Sequence, residues 1–190
     1  MSERDEDAAT TEPPRPPRRS ELGRQLKYVL FFAAAVAVAM MLSRRSSGPT
    51  EGVAAKDFTL PNAQTGESFQ LSAQRGTPVL VEVFASWCGV CRQSAPTLEE
   101  VSQAKRARAV RFVGVSVDDT AARAQAVKRA WGIPYDVLHD DGSFAKSYDI
   151  TLLPTFILVD DTGHVRRVAT GGPSKAELER WLDEVGATRL

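Results

Sequence analysis

Cys88 and Cys91, in the run Trp87-Cys88-Gly89-Val90-Cys91, are the residues whose type and spacing could do chemistry, and the chain holds no other cysteine. Two thiols separated by two residues can close into a small ring without moving the backbone far, so the pair can shuttle between dithiol and disulfide. Other uses stay open at this point. A structural staple gains little from so short a loop. A zinc site needs two further ligands, and only His139 and His164 offer themselves, far apart in sequence. A copper-delivery module needs one distal histidine, which either could supply.

The pair stands where an apolar run, Val79 to Phe84, gives way to a helix-like segment beginning near Cys91. A strand before it aims the chain end at the surface of a sheet. A helix after it turns free N–H groups and a positive dipole end towards Cys88, and both favour thiolate over thiol. Cys88 is therefore expected to be the nucleophile and Cys91, one turn further in, the resolving thiol. Glu82 interrupts the strand six residues before Cys88. A carboxylate there is costly unless it is paired, hydrogen-bonded or protonated, and a raised pKa would let it exchange a proton with Cys91. A salt-bridged or edge-facing glutamate without a catalytic part is the competing account. Pro154 precedes a further apolar strand, Phe156 to Val159, so it sits at a strand start, where a trans loop proline is the ordinary expectation.

Lys plus Arg and Asp plus Glu are 24 each, so bulk charge gives no reason to expect a nucleic-acid partner. The N-terminal region is uneven. Residues 1–27 are polar, charged and proline-rich, and are expected to form a disordered tail. Residues 28–43 carry an unbroken apolar run, Tyr28 to Leu42, flanked by Arg24 and Lys27 before it and Arg44 and Arg45 after it. At about 1.5 Å per residue the run covers a little over 20 Å of the roughly 30 Å of hydrocarbon, and flanking Lys and Arg can snorkel. It reads as a single-span anchor, with a cleaved signal sequence as the alternative. The surplus of Arg and Lys on its N-terminal side keeps that end cytoplasmic. Residues 44–54 read as a linker and 55–190 as one domain.

Within the domain, Phe58 to Leu60 and Ser68 to Leu71 flank turn-formers and look like a hairpin capping the sheet. The helix after the cysteines is expected to run through Ala107 with Pro96 inside it. Val110 to Val117 reads as a strand, Asp118-Asp119-Thr120 as turn and N-cap, Ala121 to Trp131 as a helix and Tyr135 to Leu138 as a short strand. Gly142 to Tyr148 forms a short helix, and His139 and His164 are a loop and a surface strand residue. Asp160 to Gly163 turns the chain into a strand, His164 to Thr170. Ser174 caps a last helix whose buried stripe is Leu178, Trp181, Leu182 and Val185.

These segments resemble the thioredoxin superfamily, and within it the membrane-anchored TlpA- and ResA-like branch, over about Ala55 to Val185. The residues that carry the resemblance are Phe84-Ala85-Ser86-Trp87-Cys88-Gly89-Val90-Cys91-Arg92, Pro96, Val113 to Asp118, Tyr148-Asp149-Ile150 and Leu153-Pro154-Thr155. The resemblance implies a thioredoxin-like α/β fold: a central mixed β-sheet flanked by helices, with an N-terminal β-hairpin extension and a single N-terminal transmembrane helix. It further implies that Cys88 attacks, Cys91 resolves, and Pro154 is a cis-proline facing them; Glu82 and Trp87 are the residues expected to support them. Two positions depart from the branch. Ser94 stands where TlpA-like proteins usually carry a glutamate, and Glu82 where they usually carry asparagine, although thioredoxin has an acid there. Ala85 replaces the threonine of a peroxiredoxin-type peroxidase.

The resemblance implies a protein-disulfide reductase working outside the cytoplasmic membrane, in the periplasm or its equivalent. Its substrates would be exported protein thiols and disulfides, for example in cytochrome c or copper-protein maturation. A transmembrane thiol carrier would supply electrons, and no metal or cofactor is called for. An oxidase or isomerase, or a copper-binding assembly module, is the alternative.

Overall fold

The computed structural model describes residues 19–43, 48–104 and 109–187. It divides into two units, Met1–Ser46 and Ser47–Leu190. The first contributes one helix, α1 (Arg19–Ser43). It starts inside the stretch expected to be a tail, among Glu21, Leu22, Arg24, Gln25 and Leu26, which are good helix formers. The rest of that tail, and residues 44–47 of the expected linker, lie outside the described residues. Among the described residues no helix is long and apolar enough to cross a membrane; the side chains of α1 are described for residues 25–38.

The second unit is built on a five-stranded mixed sheet. Its strands in chain order are β3 (Val79–Phe84), β4 (Arg111–Ser116), β5 (Asp136–His139), β6 (Thr155–Val159) and β7 (Val165–Thr170). In space they run β5-β4-β3-β6-β7, with β3, β4 and β5 parallel and β6 and β7 antiparallel to their neighbours. A two-stranded hairpin, β1 (Thr59–Pro61) and β2 (Ser68–Gln70), precedes the sheet. It meets the edge strand β5 through a bridge from Asn62 to Leu138 and a bond from Ala63 N–H to the Val137 carbonyl, 2.8 Å. An open edge of unpaired backbone groups is thereby covered. Gly52 N–H donates to the Val165 carbonyl, and Val165 N–H to the Val53 carbonyl, so part of the stretch read as linker pairs with β7.

The helices are α2 (Gly89–Gln103), α3 (Ala121–Ala130), α4 (Ser143–Ser147) and α5 (Lys175–Ala187). Alternation along β3 sorts the two faces. Val79, Val81 and Val83 pack with the hairpin residues Leu60 and Phe69 and with Phe144 and Tyr148 around α4. Leu80 packs with Leu98 and Val101 of α2 and with Leu178, Trp181, Leu182 and Val185 of α5. Phe84 packs with both cysteines and with Ala124 and Val127 of α3. Every residue of β3 is buried, as a strand at the centre of a sheet covered on both sides must be.

Several boundaries move from the expected ones. The helix after the cysteines begins at Gly89 rather than near Cys91, because the sulfur of Cys88 serves as its N-cap acceptor. It ends at Gln103, with Ala104 turned into extended backbone; residues 105–108 lie outside the described residues. His139 is the last residue of β5, not a loop residue, since Ser116 pairs with it across the ladder. The N-cap of α3 is Thr120, which accepts from Arg123 N–H, and this frees Asp118 for another task.

Candidate functional site

Strand β3 ends at Phe84, and Ala85-Ser86-Trp87 carries the chain over the sheet edge into α2. Cys88 N–H donates to the Ala85 carbonyl at 3.0 Å, which closes the turn. Cys88 and Cys91 are joined by a disulfide, with Cα atoms 5.3 Å apart. Cys88 keeps 7% of its surface and Cys91 none. The backbone N–H of Cys91 donates to Cys88 Sγ at 3.1 Å. A sulfur in that position meets both an unpaired amide of the first turn and the positive end of the helix dipole, so charge on it is stabilised once the disulfide opens. Beside Cys88 in the chain, Trp87 is 70% exposed and Val90 48%; Leu152, on the loop before β6, is 60% exposed.

The loop that presents Cys88 is held from beneath by Asp118, which is almost fully buried. Its carboxylate accepts Ser86 N–H at 3.0 Å, Ser86 O–H at 2.6 Å and Ser116 O–H at 2.8 Å. Three hydrogen bonds converging on one buried carboxyl tie the residues just before the cysteines to the end of β4. The backbone carbonyl of Asp118 lies 3.0 Å from His139 Nε2. Ser86 and Asp118 both lie in the segments that carry the family resemblance, but their pairing was not legible there, because an aspartate after a strand reads as a turn. Their serine–aspartate pairing spans 32 positions.

Leu153-Pro154 is a cis peptide bond, so the ordinary trans expectation does not hold and the conformation implied by the family resemblance does. Pro154 is buried, and Leu153 before it packs against the cluster that contains both cysteines. The Thr155 hydroxyl donates to the Leu152 carbonyl at 2.7 Å and fixes the turn.

Glu82 lies on the helix-covered face of β3, between Leu80 and Phe84, and is 4% exposed. Tyr135 O–H donates to its Oε2 at 2.7 Å. Burial pushes the Glu82 carboxyl up to about 7, against the opposing pull of that hydrogen bond. The Tyr135 hydroxyl is pushed well above its ordinary value by burial and by the neighbouring carboxylate. Glu82 is thus buried on the central strand, not at an edge, and is accommodated there by a hydrogen bond. Ser94 spends its hydroxyl on the Cys91 carbonyl, 3.0 Å away, and brings no acid to the site.

His164 is exposed, with Nδ1 2.9 Å from the Thr162 hydroxyl. Among the described residues no group of three or more His, Cys, Asp and Glu could hold a metal ion. The arrangement can exchange a disulfide: it has a sulfur at a helix N-terminus, a second buried sulfur within bonding reach, and a carboxyl that titrates near neutrality on the same side of the sheet.

Comparison with known proteins agrees. A family model described as Redoxin matches residues 50–182. The thiol-disulfide oxidoreductase ResA of Geobacillus kaustophilus (strain HTA426) is 26% identical over 159 residues, which cover 83% of this chain and 84% of that protein. The thioredoxin-like protein YneN of Bacillus subtilis (strain 168) is 27% identical over 143 residues, 74% of this chain and 84% of that one. The crystal structure of a thiol:disulfide interchange protein of the thioredoxin family from Chlorobium tepidum TLS superposes with a TM-score of 0.63 at 25% identity. It covers 74% of this chain and 99% of its own.

Proposed function

The chain belongs to the Redoxin family, a ResA-like protein-disulfide oxidoreductase of the thioredoxin superfamily, and from that premise we propose that it reduces disulfides of exported proteins through Cys88 and Cys91. The observation that carries the reading is the Cys91 N–H aimed at Cys88 Sγ at the first turn of α2. It supports Cys88 as the attacking sulfur, because only the thiolate attacks a disulfide.

In the forward reaction the Cys88 thiolate attacks one sulfur of the substrate disulfide and expels the other as a thiolate, which takes a proton from solvent. Cys91 S–H then gives its proton to the Glu82 carboxylate, and its sulfur attacks Cys88 Sγ. The second substrate sulfur leaves and is protonated by Glu82. The substrate ends as a dithiol and the enzyme as the Cys88–Cys91 disulfide. Electrons to reopen that disulfide would come from a transmembrane thiol carrier. The backbone at Leu152 to Pro154 offers an edge beside the cysteines along which an extended client segment can pair, and exposed Trp87 adds apolar contact.

The reading extends to the remaining organisation: an anchor over 28–43 in the cytoplasmic membrane, preceded by the polar N-terminal stretch and followed by a short linker, with the domain, which takes in the β7-paired residues Gly52 and Val53, outside it. The apolar run Tyr28 to Leu42 and its flanking charges support that placement. Clients are exported proteins whose thiols must be free for later chemistry, such as apocytochrome c or copper-centre proteins.

The direction is tested with the full chain in detergent. Prereduced enzyme mixed with insulin should open the insulin disulfides and become oxidised itself, whereas oxidised enzyme mixed with reduced ribonuclease should leave the ribonuclease thiols free. Fast oxidation of ribonuclease with insulin left intact would sink the reductase reading and favour an oxidase.

A further inference from the structure

Strand interiors disfavour glycine, which has no side chain to pack, so Gly114 in the middle of β4 needs a reason. It pairs in register with Glu82. A Cβ at Gly114 would lie 2.8 Å from Phe84 Cε1 and 3.5 Å from Tyr135 Cε2. The first distance is too short for real side chains, so the hydrogen of Gly114 is what lets the Phe84 ring lie across the strand with Tyr135 beside it.

Tyr135 is held in place from several sides. It follows the turn after α3, where Gly132 takes a φ of 67° and Ile133 is buried. The Lys128 ammonium donates to the Tyr135 carbonyl and ties the backbone to α3. Its ring packs on Phe112, with centroids 5.8 Å apart, and against the cluster that holds Cys91. Its hydroxyl has one proton to give and gives it to Glu82.

We propose that Tyr135 is a positioning residue of this reaction: packed beside the Phe84 ring for which Gly114 makes room, its hydroxyl fixes the Glu82 carboxylate and sets the affinity with which that carboxylate takes the Cys91 proton. This deepens the proposed function and rests on the role given there to Glu82. The titratable and charged groups on the elements packed around the pair are few. Cys91 and Glu99 come from α2, the latter with its carboxylate over Gly132, and Lys128 comes from α3. On β5, Asp136 is engaged by Arg111 at 2.8 Å. Strand β6 presents Phe156 beside Glu82, and the packed stripe of α5 carries no titratable side chain. A donor to the charged carboxylate favours the ionised form, so the hydroxyl holds the proton affinity of Glu82 below what burial alone would produce.

The test is the pH profile of client reduction by the full chain, measured for the natural protein, Tyr135→Phe, Glu82→Gln and the double variant, with circular dichroism to confirm folding. Carbon-13 titration of the Glu82 carboxyl in the oxidised protein gives a readout that needs no turnover. Tyr135→Phe should move both the kinetic limb and the carboxyl titration upward by about one to two pH units, the size of a hydrogen bond to a charged acceptor. The double variant should match Glu82→Gln. If Tyr135→Phe leaves both inflections in place while Glu82→Gln removes the kinetic limb, the role of Tyr135 is refuted and that of Glu82 stands. A Glu82→Gln profile identical to the natural one refutes both.

Discussion

Cys91→Ser is expected to stop turnover and leave Cys88 covalently joined to its client. The serine hydroxyl cannot attack the mixed disulfide at neutral pH, so the reaction halts after the first exchange. On a non-reducing gel the full chain should shift by the mass of one client molecule, and dithiothreitol should reverse the shift. Cys88→Ser should form no adduct, because Cys91 has no exposed surface and no client disulfide can reach it. Continued multiple turnover by Cys91→Ser, or adduct formation through Cys91 in Cys88→Ser, would contradict the assignment of the two roles.

The second large effect is on stability, and it depends on pH. Glu82 has an ordinary carboxyl value of 4.5 when exposed and about 7 in the fold, so the folded state binds its proton more tightly than the unfolded chain does. For such a group the favourable contribution is complete below about pH 4.5. It is lost as pH rises, and by pH 7 to 8 the buried charge costs roughly 3 kcal/mol. Glu82→Gln keeps the volume and can still accept from Tyr135, without a charge to bury. Its unfolding midpoint in guanidinium chloride should therefore lie close to that of the natural protein at pH 4 and well above it at pH 8. Comparing the two proteins at each pH cancels the titration of the other carboxylates. A difference that does not change between pH 4 and pH 8 would mean that Glu82 is not the buried, proton-binding group described here.

Natural selection of a carboxylate that weakens the fold at neutral pH makes sense if the proton it exchanges is needed. The same residue shows how far the sequence could be read. A nearly continuous apolar run with one glutamate in it announced both the strand and the anomaly, because burial on both faces removes alternation and leaves the exception visible. The cysteine spacing announced the chemistry, since both thiols lie within one helical turn. Hairpin and last helix were likewise legible from local signals, the turn-formers Pro61 to Gly66 in one case and the stripe Leu178, Trp181, Leu182 and Val185 in the other.

The features that remained hidden were non-local. Tyr135 reaches Glu82 across 53 positions and Asp118 reaches Ser86 across 32. No periodicity encodes such pairs, and a tyrosine before a short strand or an aspartate after one has an ordinary local explanation. The start of α2 was displaced for a related reason. Helix caps are sought among Ser, Thr, Asp and Asn, and the acceptor here is the sulfur of Cys88. In this protein the residues proposed to do chemistry could be singled out from type and spacing, whereas the contacts that hold them in place emerge only from the fold.

The most direct test of the central claim is the equilibrium reduction potential of the Cys88–Cys91 pair in the full chain, read from Trp87 fluorescence against a dithiothreitol or glutathione series. A reductant of client proteins should lie near the thioredoxin value of about −270 mV, where the enzyme disulfide is the more stable form and electrons flow outward. A potential near the DsbA value of about −120 mV would show that electrons flow from client to enzyme, and the reductase account would fall.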